Sequence, residues 1–434
     1  MRGMLPGRLL KIDPPWSLRL GLICLVALSA SLPIAWVSIS KALLFVYGLI
    51  FLLSRSWTNV DKDPPNVLWT TRIILTLLVV FAASLVWTQA DLENGLTAFV
   101  RHAKLMSTIL LVTLIRSLCE ARVAVIAYAG GQSFLLLSSW MMFLGIPIPW
   151  SVDAPTPYIV FSSYLDQSIM FATGAGIAWH LQNERIWAAW AGVGFAVLAL
   201  INVLLLLEGR SGYIIALTSL SLAAMWALPR RLRAATLVAT PLMVAAGLLV
   251  GSDQVQERVT KIFAETTTYA KTHHVGERDS SAWRLNAWYR SAQAIQEEPL
   301  LGHGVGAWTP VVKRLQGNDA KRIFGEGNLS NPHQEYLLWG VELGIAGILL
   351  LFALVVGVGK DALGLPTNTR RATVSVAVAM AVACFFNSAL FHDLLGDYFC
   401  VTLGLLFALG LHTKAKAGPS TATAALQTKE TYPA

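Results

Sequence analysis

The residues able to do chemistry are concentrated in one polar stretch, from about Gly251 to His333, with hydrophobic runs on both sides. It carries ten of the chain's 33 Lys and Arg residues and two tryptophan-arginine groups, Trp283-Arg284 and Trp288-Tyr289-Arg290. His333 stands in Asn331-Pro332-His333-Gln334, just before another apolar run. The residue types predict Asn331 as the N-cap, Pro332 at the first helical position and His333 in the first turn. The positive end of a helix disfavours imidazolium, so the ring is expected to be neutral at pH 7 and able to accept a proton. Arg284 lies in SSAWRLNAWYRSAQAIQEE, which reads as a helix capped by Ser280 or Ser281 and closed before Pro299. In it Arg284 and Trp288 are four apart and adjacent.

The elements that must position these groups are membrane helices. The chain has 434 residues, of which 55% are hydrophobic and 13% charged, and a positive mean hydropathy. That is too apolar for a soluble domain of this length. The expected fold is all-α: a polytopic membrane protein with about twelve transmembrane helices and one large extracytoplasmic helical loop. The apolar runs fall near 17–38, 40–54, 73–89, 104–118, 123–145, 164–181, 187–207, 211–228, 234–251, 334–358, 373–391 and 396–413. This divides the chain into spans one to nine (1–251), the large loop (252–333), spans ten to twelve (334–413) and a Ser, Thr, Ala and Pro-rich tail (414–434), expected to be cytoplasmic and disordered.

With the N-terminus inside, nineteen Lys and Arg residues fall on inner segments and four on short outer loops. The positive-inside rule therefore places both termini in the cytoplasm and the large loop outside. The net charge of +8 is mostly this topology signal and does not indicate a nucleic-acid partner. The first apolar run is longer than the apolar core of a signal peptide and is read as an uncleaved helix. Cys24, Cys119, Cys384 and Cys400 lie in or at the ends of spans without paired spacing, so neither a disulfide framework nor a zinc site is supported. Asp61-Lys62-Asp63 before Pro64-Pro65 reads as a solvated turn rather than a metal-holding acidic pair.

Within this topology several residues have two readings. Arg210, in the tight outer turn Glu208-Gly209-Arg210-Ser211-Gly212, is either a snorkelling arginine paired with Glu208 or an anion-binding guanidinium at the rim of the bundle. The Arg284 helix either lies along the membrane surface or presents Arg284 to phosphate. The proline- and aromatic-rich loop 146–163, with Tyr164 after it, lines a groove or forms an interfacial belt. The glycines of Pro299-Leu-Leu-Gly-His303-Gly-Val-Gly306 follow no strand, so they are no dinucleotide fingerprint and instead allow a close turn. His303 among them is either structural or a substrate contact.

Together, the twelve-span topology, the arginine after span seven, W-R-x-x-x-W, P-L-L-G-H-G-V-G and N-P-H-Q-E-Y-L-L-W-G-V-E-L-G-I-A-G resemble the O-antigen ligase superfamily. That group includes O-antigen ligases, O-antigen polymerases and bacterial O-linked oligosaccharyltransferases. Gln334 departs from the Asn that many members have after the histidine. The chain ends about 20 residues after its last span, where the oligosaccharyltransferases usually continue, which favours ligase or polymerase. The resemblance implies a multi-pass glycosyltransferase of the bacterial inner membrane with its site facing the periplasm. It would move a glycan from undecaprenyl diphosphate to a sugar hydroxyl of lipid A-core, with no cofactor and no metal. His333 would be the general base of an inverting displacement and Arg210 and Arg284 the diphosphate ligands; Arg290, His303 and Tyr336 are further candidates for substrate binding. A lipid-linked oligosaccharide flippase is the alternative from another class. It is disfavoured because deep charges are few, chiefly Asp166 and Glu342, and no internal repeat is evident.

Overall fold

The computed structural model describes residues 14–54, 68–152, 156–184, 186–207, 209–251, 253–272, 280–317 and 331–417. The Asp61-Lys62-Asp63 turn, Pro155, Glu208 and the tail beyond Ala417 lie outside the described residues. The described residues are mostly helical, with no strand among them. In chain order the first group is α1 (Pro14–Ser29), α2 (Ile34–Ser54), α3 (Trp69–Ser84), α4 (Leu92–Ala103), α5 (Met106–Leu114), α6 (Leu118–Phe143), α7 (Tyr164–Leu181), α8 (Ala189–Ile201), α9 (Arg210–Ala227) and α10 (Arg233–Gly251). The large loop contributes α11 (Asp253–Thr272), α12 (Ser280–Glu297) and α13 (Trp308–Gln316), and the chain re-enters the bundle as α14 (Glu335–Leu363), α15 (Thr367–Phe386) and α16 (Asp393–Ala417).

Among the described residues, seven stretches are long and apolar enough to cross a membrane, among them Leu118–Phe143, Glu335–Leu363 and Asp393–Lys416. The chain is thus an all-α polytopic membrane protein. α7 falls short of that measure for a structural reason: 15 of its 18 residues are buried, so it faces protein and carries polar side chains that lipid would not tolerate. Boundaries differ from the apolar runs in places. The first turn falls at 30–33, inside the run 17–38, and run 104–118 is the second half of a bent element, with the α4–α5 break at Lys104.

The last group differs more. α14 is broken at Gly344, whose φ of +67° and ψ of −155° lie outside the helical region. Into this break packs the 299–306 turn: Ile345 N–H donates to Pro299 O and Gly302 lies against Gly344 N and Glu342 O. A Cβ at Gly302 would come within 2.6 Å of backbone there, so the turn requires glycine. The large loop is consequently part of the bundle and not a separate layer. Its Val305, Trp308, Val311 and Val312 are buried in the same core as the spans, with Trp308 Nε1 donating to Ser291 Oγ of α12 at 2.8 Å.

The bundle has two chemically distinct ends. At one, Arg19 pairs with Glu120 at 2.6 Å, Lys360 and Arg72 stack on Trp69, and Arg371 lies over Trp226. At the other lie the starts of α7, α9, α14 and α16, the large loop, the ion pair of half-buried Lys41 with buried Asp397, and buried Lys104.

Candidate active site

Arg210 opens α9. The chain reaches it through a π-helical turn, Asn202–Leu206, at the end of α8, anchored by the Asn202 side-chain amide on Ser139 Oγ at 3.1 Å. Gly209 and Gly212 press α9 against Ser168 of α7, which sets Arg210 beside the first turn of α7 and its Tyr164 and Asp166. A cation at the first position of a helix faces the positive end of the dipole, an arrangement that an anionic ligand relieves. Arg210 Nη1 donates to Ser281 Oγ at 3.1 Å, linking it to the start of α12.

Arg284 lies one turn along α12 and is half-buried. Burial pulls its guanidinium below the usual value; Tyr164 acts in the opposite sense and Arg210 in the same sense. The two arginines therefore feel one another. Among the described residues no carboxylate forms an ion pair with either, and the two guanidiniums share a partly dry space.

His333 precedes α14 and does not lie in its first turn. The N-cap is Gln334, whose side chain accepts from Leu337 N–H at 3.1 Å. Asn331 instead closes a small turn, accepting from His333 N–H at 2.9 Å. His333 takes a left-handed φ of +51°, which costs a non-glycine residue about 1 kcal/mol or more and persists where neighbours over-determine it. Those neighbours come from α12: Trp288 Nε1 donates to Pro332 O at 3.1 Å, and the Trp283 ring meets the imidazole edge-on at 5.3 Å. The W-R-x-x-x-W spacing thus clamps the His333 turn with two indoles and brings Arg284 to the same place. The imidazole keeps an exposed edge, yet the surrounding protein, then the charges of Arg284 and His392, press it down to about 4. It is neutral at pH 7 because of burial and neighbouring cations, more than because of the helix end.

Arg210, Arg284 and His333 accordingly meet at one end of the bundle. The three lesser candidates do not join them. Arg290, six residues beyond Arg284, is turned away; its Nε and Nη1 donate to Gln316 and Gln293, and it lies over Tyr289. His303 is buried, with Nε2 at 2.9 Å from Ala294 O and its backbone N–H donating to Val341 O, which is the structural reading of that loop histidine. Tyr336 packs against Phe352 and Phe385 at one end of an apolar groove of about 680 Å³ between α9, α14 and α15. Ile214 lines the same groove, so it begins three residues on from His333 and four on from Arg210. Glu342 is fully buried, 3.1 Å from His102 Nε2, and accepts from Gly306 N–H.

Sequence reasoning passed over His392. It stands in the turn before α16, and its Nδ1 lies 3.5 Å from Asp166 Oδ1. The available signal was weak: a histidine beside an aspartate in the short turn Asn387-Ser-Ala-Leu-Phe-His392-Asp393, with no spacing rule joining it to His333, 59 residues earlier. Among the described residues no group of three or more His, Cys, Asp or Glu side chains converges as metal ligands. The site offers two guanidiniums, two imidazoles and one carboxylate, a set suited to gripping a phosphate and moving protons beside it.

Residues 194–352 match the family described as O-antigen ligase. A Rickettsia conorii protein named as a polysaccharide ligase is 29% identical over 119 residues, covering 26% of this chain and 26% of that protein. These matches support a place in the O-antigen ligase and polymerase superfamily and an enzyme of the glycosyltransferase type. The matched stretch holds Arg210, Arg284 and His333 and excludes Asp166 and His392.

Proposed function

We propose that this chain is an O-antigen ligase of the bacterial inner membrane, transferring a glycan from undecaprenyl diphosphate to a sugar hydroxyl of lipid A-core on the periplasmic side. The observation that carries this reading is the convergence of Arg210, Arg284 and His333 from three remote segments on one membrane-proximal site. Outside the cytoplasm a sugar donor arrives on a lipid, and its diphosphate leaving group needs charge. Arg210 and Arg284 supply planar, permanently charged forks in a partly dry space, where such contacts are strongest. His333, neutral at working pH, takes the acceptor proton as the hydroxyl oxygen attacks the anomeric carbon. A single displacement inverts that carbon and needs no metal. The diphosphate's own charge offsets that of Arg284 and strengthens the base once donor is bound. The apolar groove from Tyr336 and Ile214 toward Gly359 gives the polyprenyl tail a path along the bundle.

The test is transfer in vesicles containing purified protein, an undecaprenyl-diphosphate-linked glycan and lipid A-core, with a chelator present. Wild type is expected to form product with an inverted linkage. His333→Ala is expected to lose about 10²- to 10⁴-fold in rate while inserting normally. Product made only when the acceptor is a second lipid-linked glycan would reassign the chain as a polymerase, and full activity of His333→Ala would remove the base.

A further inference from the structure

The turn that carries His392 is anchored more heavily than a connecting loop requires. Glu335, fully buried two residues after His333, accepts from the N–H groups of Leu390 and Phe391 at 2.9 and 3.1 Å. Lys104, buried in the α4–α5 break, donates from Nζ to Phe391 O and His392 O at 3.3 and 2.9 Å. The Asn387 amide donates to Ser211 Oγ, next to Arg210, at 2.8 Å. Two of these anchors tie the turn to the segments that bear His333 and Arg210 and the third ties it to the α4–α5 break, and the side chain they fix points outward, 45% exposed.

The other side of His392 is also built. Asp166 is 2% exposed, its Oδ2 accepts from Ser163 Oγ at 2.9 Å, and its Oδ1 has no hydrogen-bond partner and faces His392 Nδ1 at ion-pair distance. A carboxylate behind Nδ1 holds the ring in one orientation and leaves Nε2 for the site. His333 has different surroundings: among the described residues the charged neighbours acting on it are Arg284 and His392. Two titratable groups in one site with opposite neighbours are the arrangement that separates an acid from a base.

We propose that His392, oriented by Asp166, is the proton donor to the diphosphate leaving group in the reaction for which His333 is the base. This rests on the functional reading above. As the acceptor oxygen bonds to the anomeric carbon, its proton passes to His333. The bond from that carbon to the phosphate oxygen breaks, with its electron pair staying on the oxygen, and the Nε2 proton of His392 goes to that oxygen. Water then takes the proton from His333 and returns one to His392. A terminal phosphate titrates near pH 6, so an imidazole is a matched donor. The charged and titratable groups around His392 are Asp166 on α7, His333 before α14, Glu335 on α14, Lys104 and Arg101 at the α4–α5 break, and Asp393 on α16.

The test is the pH profile of kcat for wild type, His392→Gln and Asp166→Asn, with an undecaprenyl-diphosphate-linked oligosaccharide as donor. Wild type is expected to be bell-shaped. His392→Gln, at an exposed position that tolerates the change, is expected to lose about 10²-fold and its alkaline limb while keeping the acid limb. Asp166→Asn is expected to keep the bell and move the alkaline limb to lower pH. A His392→Gln profile that keeps the alkaline limb overturns the proposal, with the base reading intact. A wild type that uses no lipid-linked diphosphate donor overturns the functional reading and this proposal with it.

Discussion

Gly209 and Gly212 offer the sharpest test of how Arg210 is placed. A Cβ built on Gly209 would lie 2.2 Å from Ser168 Oγ, and one on Gly212 would lie 2.4 Å from Ser168 Oγ and Cβ, against ordinary contacts of 3.4 Å or more. An alanine at either position therefore asks α9 to move from α7 by roughly 1 Å, or the core to absorb the overlap at about 1–3 kcal/mol. Gly209 has φ −80° and ψ 103°, a conformation open to alanine, so the effect is steric and not a matter of backbone freedom. Arg210 is the next residue and shares whatever displacement occurs. A misplacement of about 1 Å costs on the order of 10²-fold in rate where positioning matters. Gly209→Ala is thus expected to lower kcat about ten- to hundredfold, with a modest loss of thermal stability in detergent. Ser168 donates to Leu165 O within its own helix, so Ser168→Gly removes the obstructing atoms and breaks no bond between helices. The double variant is expected to recover most of the rate. Gly209→Ala with wild-type kcat and wild-type melting temperature would refute the idea that this contact sets the arginine.

Other outcomes follow from the same contacts. His333 is held at about 4, so the base is intact above that value and is lost as pH falls through it; Arg284→Gln removes a cation that presses it down, and the acid limb of kcat/KM should move up toward 6.5. Arg210→Lys keeps the charge and loses the planar fork, and should raise the donor KM with little change in melting temperature. Trp288→Phe deletes the donor to Pro332 O and should cost about 1 kcal/mol, with a fall in kcat as the His333 turn loosens, read by a thermal melt beside the transfer assay. Lys104→Met strips the buried donor from the 391–392 carbonyls and should destabilise by about 3–5 kcal/mol; a melting temperature within a degree of wild type would show that Glu335 and Asn387 hold the turn without Lys104.

Much of this architecture could be read from the chain. Hydrophobic run length and the placement of Lys and Arg give a helical membrane protein with one large loop, because a bilayer core admits little else. The two arginines and the histidine stood out as polar groups next to apolar runs, and the motif resemblance proposed their roles. What the string could not supply was local geometry. Asn331 and Pro332 look like a helix start, yet the helix begins beyond them: Asn331 closes its own turn, and Trp288 fixes the Pro332 carbonyl from another helix. Run 334–358 reads as one span, but Gly344 breaks it to receive the 299–306 turn.

The sequence by itself determined that this is an all-α polytopic membrane protein, because transfer of apolar side chains out of water is a local and additive property. Only the tertiary structure decided which polar groups face one another. Arg290 stood as a further candidate for substrate binding on the same helix as Arg284, and helical phase turned it toward Gln316. His392 had no pattern to mark it, and the packing of α7, α14 and α16 set it between Asp166 and the His333 turn. Electrostatic coupling depends on separations across the bundle, which no spacing along the chain encodes.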